Sequence, residues 1–213
     1  MKLISMMLFL SVFNCAFAQS DLLDNGDTIG PYPKIGSVEA KEELEQMLYL
    51  QEHRSQEDCE AADLQATANL ETLFGGKDGV LSDAEISKVK KKLRLVTIKS
   101  GLKIYFAKRE FKRPRPYITN AQIKPCIELE SSTSYPSGHS ALARMYARLL
   151  AVIYPDRASI FEDLGNQAAL NRVIGGVHHP SDIIAGKMLG DILADDYLSN
   201  SKFKRELEKL GKK

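Results

Sequence analysis

The sequence predicts an all-α protein that folds as a single-domain helical bundle. Apolar residues recur every three or four positions over long segments, which is the spacing of helices packed against a core. The alternation of apolar and polar residues that marks strands is nearly absent, and no internal repeat occurs. The length of 213 residues is enough for one domain with a substantial core.

The first part of the chain, residues 1–18, has the pattern of a signal peptide. Lys2 precedes the apolar stretch 3–13, and a small-x-small cleavage site ends at Ala18. We therefore expect a periplasmic or secreted protein. An uncleaved membrane anchor is disfavoured because the stretch is too short to span a bilayer. A lipoprotein attached at Cys15 is disfavoured because the residues before it are not small.

The remainder of the chain has features that disfavour two kinds of partner. The formal net charge of the whole chain is only +1, so composition does not indicate a nucleic-acid partner. Charged side chains interrupt the most apolar of the later segments, so we expect no membrane span in the mature chain. A homo-oligomer remains open. The interrupting residues are Arg144 and Arg148 in one segment, and Lys187, Asp191, Asp195 and Asp196 in the other.

The N-terminal half of the mature chain predicts an extended segment over 19–36 and a helical domain over 37–213. Ser37 is a candidate N-cap for a first helix. A second helix is expected over about 56–73, followed by a glycine-rich loop over 75–79. Three acidic residues near the start of the first helix suit the positive end of its dipole: Glu39, Glu42 and Glu43.

A long third helix is predicted from the capping-box sequence 82–85 to about Lys108. Its apolar residues recur at helical spacing, so we expect one face to be buried. The residues expected on that face are Ile86, Val89, Leu93, Val96, Leu102 and Tyr105.

The C-terminal half begins with a long loop over 112–136, because that segment holds four prolines and little periodicity. Long ordered loops in compact domains are often functional. Helices are expected over about 139–153, 157–176 and 180–198, and a short charged helix over 202–210.

Two cysteines, Cys59 and Cys126, remain after the signal peptide. In an oxidising compartment they can form one disulfide, and the alternative is a pair of buried thiols. No cysteine spacing typical of metal sites occurs, and no cluster of oxygen or histidine ligands is evident. We therefore expect no metal and no cofactor.

The first of three chemically informative blocks contains Lys108 and Arg115. An arginine fork matches two phosphate oxygens, and lysine adds a compact positive charge. Both residues lie in a run of basic residues, so a solvated surface is the alternative. Pro114 and Pro116 flank Arg115 and stiffen its backbone, which favours an anion ligand.

The second block is the segment 136–139, Pro-Ser-Gly-His, which precedes an apolar helix. Gly138 allows close approach of the backbone to a ligand, and the first N–H groups of a helix can cradle an anion. Ser137 can add a hydroxyl donor, and His139 would lie where a general acid is needed. The alternative is an ordinary turn with a capping serine and a surface histidine.

The third block contains Arg172, His178 and Asp182. Two glycines at 175–176 are expected to end the preceding helix. Asp182 lies one turn beyond His178, so its carboxylate can accept the imidazole N–H and fix the tautomer. The alternative role of Asp182 is that of an acid at a helix start. The neighbouring His179 would line the mouth of the site.

Together these blocks resemble the phosphatidic acid phosphatase type 2 superfamily, which includes bacterial class A nonspecific acid phosphatases and vanadium haloperoxidases. The resemblance covers about residues 105–195 and rests on the motifs Lys-x6-Arg-Pro, Pro-Ser-Gly-His and Arg-x5-His-x3-Asp. Segment 133–139 is similar to the Gly-Ser-Tyr-Pro-Ser-Gly-His signature of the class A enzymes. Asn171 stands where the family usually has a serine before the third-block arginine. His179 stands where class A members often have a tryptophan. The resulting His-His-Pro-Ser-Asp sequence is similar to the His-aromatic-Pro-Ser-Asp pattern of membrane-bound lipid phosphatases.

The resemblance implies the helical fold of that superfamily and metal-independent hydrolysis of small phosphate monoesters. It implies that His178 attacks phosphorus to form a phosphohistidine, that Asp182 orients His178, and that His139 protonates the leaving group. A soluble lipid-phosphate or pyrophosphate phosphatase, a vanadate-dependent haloperoxidase and a non-catalytic phosphate-binding protein are the alternatives. The implied phosphate ligands are Lys108, Arg115, Ser137, Gly138 and Arg172.

Overall fold

The computed structural model describes residues 29–76 and 79–212 of the chain. Within these ranges nine α-helices and no strands occur, so the predicted all-α class is confirmed. Residues 29–36 precede the first helix and are not helical. The predicted signal peptide, 1–18, and residues 19–28 of the predicted extended segment lie outside the described residues.

The helices of the described ranges are mostly long and are connected by short turns, apart from one extended loop. No helix in those ranges combines the length and the apolar content needed to cross a bilayer. Their bounds are α1 Val38–His53, α2 Gln56–Leu64, α3 Leu70–Phe74, α4 Asp83–Phe111, α5 Pro116–Thr119, α6 Gly138–Ile153, α7 Ala158–Ile174, α8 Pro180–Ser199 and α9 Ser201–Gly211.

The predicted helix over 56–73 is wrong, because the structure divides it into α2 and α3. The side chain of Asn69 caps α3 by accepting the backbone N–H of Thr72 at 2.9 Å. The hydroxyl oxygen of Thr72 accepts the backbone N–H of Asn69 in turn. These side chains satisfy backbone groups that a continuous helix would have paired, so they favour a new helix start.

The buried face of α4 follows the prediction only over its first half. Leu102 and Tyr105 are about half exposed, and Ile104 and Ala107 are buried instead. After Val96 the buried positions are Ser100, Ile104 and Ala107, which are spaced by three or four residues. Leu102 lies on a different side of the helix from these positions.

Helix α6 lies at the centre of the bundle, and small residues bring its neighbours close. A Cβ atom added at Gly186 of α8 would lie 2.4 Å from the Ser137 carbonyl, and one added at Gly190 would lie 2.5 Å from the Ala141 carbonyl. Only glycine permits this approach of α8 to α6. The start of α8 is thereby held against the start of α6, where the second and third blocks meet.

The long loop between α4 and α6 is held to the helical body at several points. A disulfide joins Cys126 of this loop to Cys59 of α2. The guanidinium of Arg54 donates to the carbonyls of Lys124 and Ile174. The predicted loop over 112–136 contains one short helix, α5, and otherwise has no regular structure.

Candidate active site

The turn between α7 and α8 places His178 inside the protein. Gly176 has φ +80°, a left-handed conformation that side chains with a Cβ rarely adopt. The chain then turns so that the N–H groups of Val177 and His178 donate to the Arg172 carbonyl at 3.1 and 3.2 Å. As a result His178, in the turn between α7 and α8, is only 1% exposed.

The two ring nitrogens of His178 have different partners. Nδ1 lies 3.2 Å from Oδ2 of Asp182, which also accepts the Ser134 hydroxyl at 2.5 Å and the His179 N–H at 2.8 Å. Nε2 lies 2.9 Å from Nη1 of Arg115. Because arginine can only donate, Nε2 accepts this bond and Nδ1 carries the proton. The nitrogen with the free electron pair in this tautomer is therefore Nε2.

A buried ion-pair network supports Asp182 from behind. Arg113 donates through Nη1 to Oδ1 of Asp182 at 2.7 Å and through Nη2 to Oε2 of Glu43 at 2.7 Å. The other Glu43 oxygen accepts the N–H of Ser181 at 2.6 Å. Arg113 and Glu43 are both buried. Glu43 was predicted only as an acid at a helix start, and Arg113 was not among the predicted site residues, so this network was not predicted from the sequence. The Pro114 that stiffens Arg115 also follows Arg113 directly, which was the available signal.

The cations of the first block meet the long loop. Arg115 donates to the carbonyls of Ser132 and Val177, each at 2.8 Å. Lys108 donates to the Thr133 carbonyl at 2.6 Å. Burial, and next the charge of Arg115, lower the pKa of Lys108 to about 8. Two fixed cations therefore face the same small volume as Nε2 of His178.

The second block forms the N-terminus of α6. Ser137 caps the helix and accepts the hydroxyl of Ser140 at 2.9 Å, which leaves its own hydroxyl proton available. Gly138 is the first helical residue, and the first N–H groups of a helix have no acceptor within it. A Cβ atom at Gly138 would lie 2.9 Å from a methyl group of Ile104, so glycine allows α6 to start directly against α4.

Three buried side-chain atoms lack hydrogen-bond partners among the described residues: Oε2 of Glu71, which lies in α3, and two atoms of this site, Nε2 of His139 and Nε of Arg172. Most buried polar groups in proteins are paired, so such atoms indicate a place where a ligand accepts or donates. Arg172 is otherwise held by a bond from Nη2 to the Ala62 carbonyl. Burial, followed by the charge of Arg172, lowers the pKa of His139 to about 3.

The electrostatics of the site match the roles of an acceptor nitrogen and its orienting acid. Burial lowers the pKa of His178 to about 4, although the hydrogen bond to Asp182 opposes this change. Burial alone would raise the pKa of Asp182, but the hydrogen bond from His178 and the charge of Arg113 help to hold it well below its usual range. At neutral pH the His178 ring is therefore neutral, and Asp182 is ionised.

The structure brings the three blocks together around Nε2 of His178. The sequence did not single out Glu130, which comes from the long loop and pairs with Arg115. Within the described ranges, no three His, Cys, Asp or Glu side chains are grouped so that they could hold a metal ion. The residues predicted for the site that meet here are Lys108, Arg115, Ser137, Gly138, His139, Arg172, His178 and Asp182.

His179 differs from its prediction. Its backbone N–H donates to Asp182, but its side chain lines an apolar cavity together with Tyr32, Met47 and Arg113. The open mouth of the site is instead lined by loop residues that include Tyr117, Ile118, Leu129 and Ser132. Sequence position alone could not distinguish this cavity from the mouth of the site.

Comparison with known proteins agrees with this geometry. The model of the PAP2 superfamily matches residues 92–194, which contain all three blocks. The non-specific acid phosphatase of Providencia stuartii is 26% identical over 201 residues, covering 89% of this chain and 80% of that protein. The non-specific acid phosphatase of Salmonella typhimurium is 34% identical over 90 residues, covering 40% of this chain and 36% of that protein.

A solved structure has the same fold. The transmembrane PAP2 type phosphatidylglycerolphosphate phosphatase from Bacillus subtilis superposes with a TM-score of 0.57 at 21% identity. The superposition covers 82% of this chain and 89% of that protein. At this identity the likeness supports the arrangement of helices alone.

Proposed function

Because residues 92–194 form a PAP2 superfamily domain, we propose that this phosphatase hydrolyses phosphate monoesters through a phosphohistidine intermediate on His178. The observation that carries the proposal is the state of Nε2 of His178. It accepts a bond from Arg115, while Nδ1 is held by ionised Asp182. An unprotonated ring nitrogen beside fixed cations is suited to attack phosphorus once the phosphate oxygens accept the Arg115 hydrogen bond in its place.

The phosphoryl oxygens would be held by the cations and helix N-terminus described above. Phosphoryl transfer depends mainly on positioning and on neutralising charge at the equatorial oxygens. Nε of Arg172 would gain the acceptor that it lacks among the described residues. The proposed ligands are Lys108, Arg115, Ser137, Gly138 and Arg172.

In the first step Nε2 of His178 forms the N–P bond while the P–O bond to the alcohol breaks. Asp182 stabilises the positive charge that develops on the ring. His139 donates its proton to the departing oxygen. Burial keeps the pKa of His139 at about 3 in the free protein, and a bound phosphate dianion would raise it by favouring the charged ring. In the second step, neutral His139 takes a proton from water, whose oxygen forms a new bond to phosphorus. The N–P bond breaks, its electron pair returns to Nε2 of His178, and inorganic phosphate leaves.

We also propose that the protein is exported, with cleavage after Ala18, and acts in the periplasm or outside the cell. The basis is the signal-peptide pattern of residues 1–18. Determination of the N-terminal sequence of the secreted protein tests this, and a chain that retains Met1 in the cytoplasm would contradict it.

A second candidate function is hydrolysis of a phosphate monoester with an apolar alcohol, such as a soluble lipid phosphate. One observation favours it: Ile118 and Leu129, which line the mouth beside Arg115, are 70% and 60% exposed. Comparison of kcat/KM for a nucleotide, a sugar phosphate, an aryl phosphate and a short-chain lipid phosphate distinguishes the two candidates.

The main experiment combines turnover and trapping. Wild-type protein should hydrolyse p-nitrophenyl phosphate in the presence of EDTA, and acid quenching during turnover with labelled substrate should leave phosphate on His178. His178→Ala should lack both turnover and label, while the exposed His53→Ala, outside the site, should retain both. Absence of turnover by the wild type would favour a phosphate-binding protein. Halide oxidation after vanadate addition would favour a haloperoxidase.

A further inference from the structure

Glu130 extends from the long loop into the space where phosphate would bind. Its Oε2 atom lies 2.6 Å from Nη2 of Arg115, and its Oε1 atom lies 3.8 Å from Nε2 of His178. Nε2 is the nitrogen that would attack phosphorus. The carboxylate therefore occupies the approach to the nucleophile and uses one of the cations proposed to bind the substrate.

The charge of Glu130 acts on the whole site and not only on Arg115. Burial alone would raise the pKa of Glu130, but the charges of Arg115 and Lys108 and the hydrogen bond from Arg115 contribute to a net lowering of it. In return, its negative charge opposes the lowering of the pKa of Arg172 and of His139. Glu130 is thus an ionised group that interacts with the proposed phosphate ligands from three directions.

A carboxylate has two oxygens and one negative charge, so it can accept hydrogen bonds from an arginine in the same way as two oxygens of a phosphate dianion. The two anions cannot share the site, because like charges at such distances strongly disfavour each other. Substrate binding on Arg115 therefore requires that the Glu130 side chain leaves.

The structure gives the side chain room to leave while its backbone stays in place. The Glu130 side chain is 38% exposed and lies in the open mouth, whereas the Arg115 side chain is only 3% exposed. Tyr117 donates its hydroxyl to the Glu130 carbonyl at 2.8 Å, and Ser132 is held by Arg115. Rotation about the side-chain bonds is sufficient to move the carboxylate from Arg115 into solvent.

We propose that Glu130 is an internal competitor that occupies the phosphate site of the free protein and weakens the binding of phosphate. This inference rests on the proposed function, since it concerns the same site. Its consequence is weaker binding of both the ester and the inorganic phosphate that the reaction releases, because both must displace Glu130 from Arg115.

Calorimetric titration with inorganic phosphate tests the proposal without turnover. Glu130→Gln retains the size of the side chain and removes its charge, and Glu128→Gln removes the same charge from an exposed position two residues away. We expect Glu130→Gln to bind phosphate about tenfold more tightly than wild type, because a competing like charge is gone. Glu128→Gln should change Kd by less than about twofold, because exposed charges are screened.

Equal or weaker phosphate binding by Glu130→Gln would overturn the proposal, and weaker binding would instead identify Glu130 as a residue that positions Arg115. An equal increase in phosphate affinity in Glu130→Gln and Glu128→Gln would also overturn the proposal, because the increase would then come from the change in net charge and not from the position of Glu130. Binding of phosphate without hydrolysis by the wild type would contradict the proposed function and leave the competition test valid. A failure of both wild type and Glu130→Gln to bind phosphate would overturn both.

Discussion

Arg113 and Asp182 form a buried ion pair, with Nη1 2.7 Å from Oδ1, on the side of the carboxylate opposite to His178. The same guanidinium reaches Glu43 of α1 through its other terminal nitrogen. Three parts of the chain, α1, the end of α4 and the start of α8, are therefore joined at one arginine. Because Asp182 orients the proposed nucleophile, the position of the His178 ring depends on a contact that lies outside the phosphate site.

Replacement of Arg113 should be costly. Arg113→Met would leave Glu43 and Asp182 buried without their cation, so we expect the free energy of unfolding to fall by roughly 3–5 kcal/mol. Urea denaturation measures this change. Arg94→Met, at an exposed position of α4, is the matched control and should change it by less than about 0.5 kcal/mol. A loss of under about 1 kcal/mol in Arg113→Met would contradict the buried network.

Stability should depend on pH through the two histidines of the site. Their pKa values are about 4 for His178 and about 3 for His139 in the folded protein, both because of burial, against about 6.5 in an unfolded chain. Above about pH 6.5 both states are neutral and the contribution to stability is complete. As the pH falls below that value, only the unfolded chain binds protons, so stability decreases.

The expected size of this effect is at most about 1.4 kcal/mol per pH unit for each histidine. Urea denaturation of the wild type at pH 7, 6 and 5, at constant ionic strength, gives the slope. His139→Ala should have a smaller slope, by one proton. A free energy of unfolding that stays constant between pH 6.5 and 5 would show that these rings are not buried in the neutral form.

Two glycines should respond to alanine in opposite directions. Gly176 has φ +80°, and a Cβ atom there would lie 3.0 Å from the Pro125 backbone, so Gly176→Ala should destabilise by at least about 1–2 kcal/mol and displace His178. Gly101 lies inside α4 with no heavy atom within 4 Å of an added Cβ. Gly101→Ala should therefore stabilise by about 0.5–1 kcal/mol.

Thermal or urea unfolding of both glycine variants, with kcat/KM for p-nitrophenyl phosphate, checks this pair. Gly176→Ala should lose activity as well as stability, since the turn positions the proposed nucleophile. Gly101→Ala should retain activity. An unchanged stability in Gly176→Ala would mean that the turn does not need its left-handed residue.

The disulfide should stabilise the loop that carries Glu130. Cys59 and Cys126 are separated by 67 residues, so the bridge restricts a large part of the unfolded chain. We expect Cys59→Ser/Cys126→Ser to lower the free energy of unfolding by about 2–5 kcal/mol. Denaturation with and without a reducing agent tests this, since the reductant should affect only the wild type. Equal stability of wild type and double variant would contradict it.

Local patterns in the sequence were sufficient for the all-α class and for several local contacts of the proposed site. The capping serines Ser37 and Ser82 act on backbone groups within three residues, so their roles could be predicted from spacing. The same is true of Asp182, which lies one helical turn from His178. Such contacts depend on the geometry of one helix or one turn, which the sequence alone encodes.

Tertiary structure decided the rest, because it depends on contacts between distant parts of the chain. Arg113 meets Glu43 across 70 residues. Nothing within the basic run shows that Arg113 reaches Asp182 while Arg115 reaches His178. Glu130 reaches Arg115 only because the long loop folds back over the site. The buried face of α4 likewise follows from where α6 packs on it. The sequence by itself predicted the groups of the proposed site, and packing of the helices through glycines determined which of them meet and that Glu130 faces the proposed nucleophile.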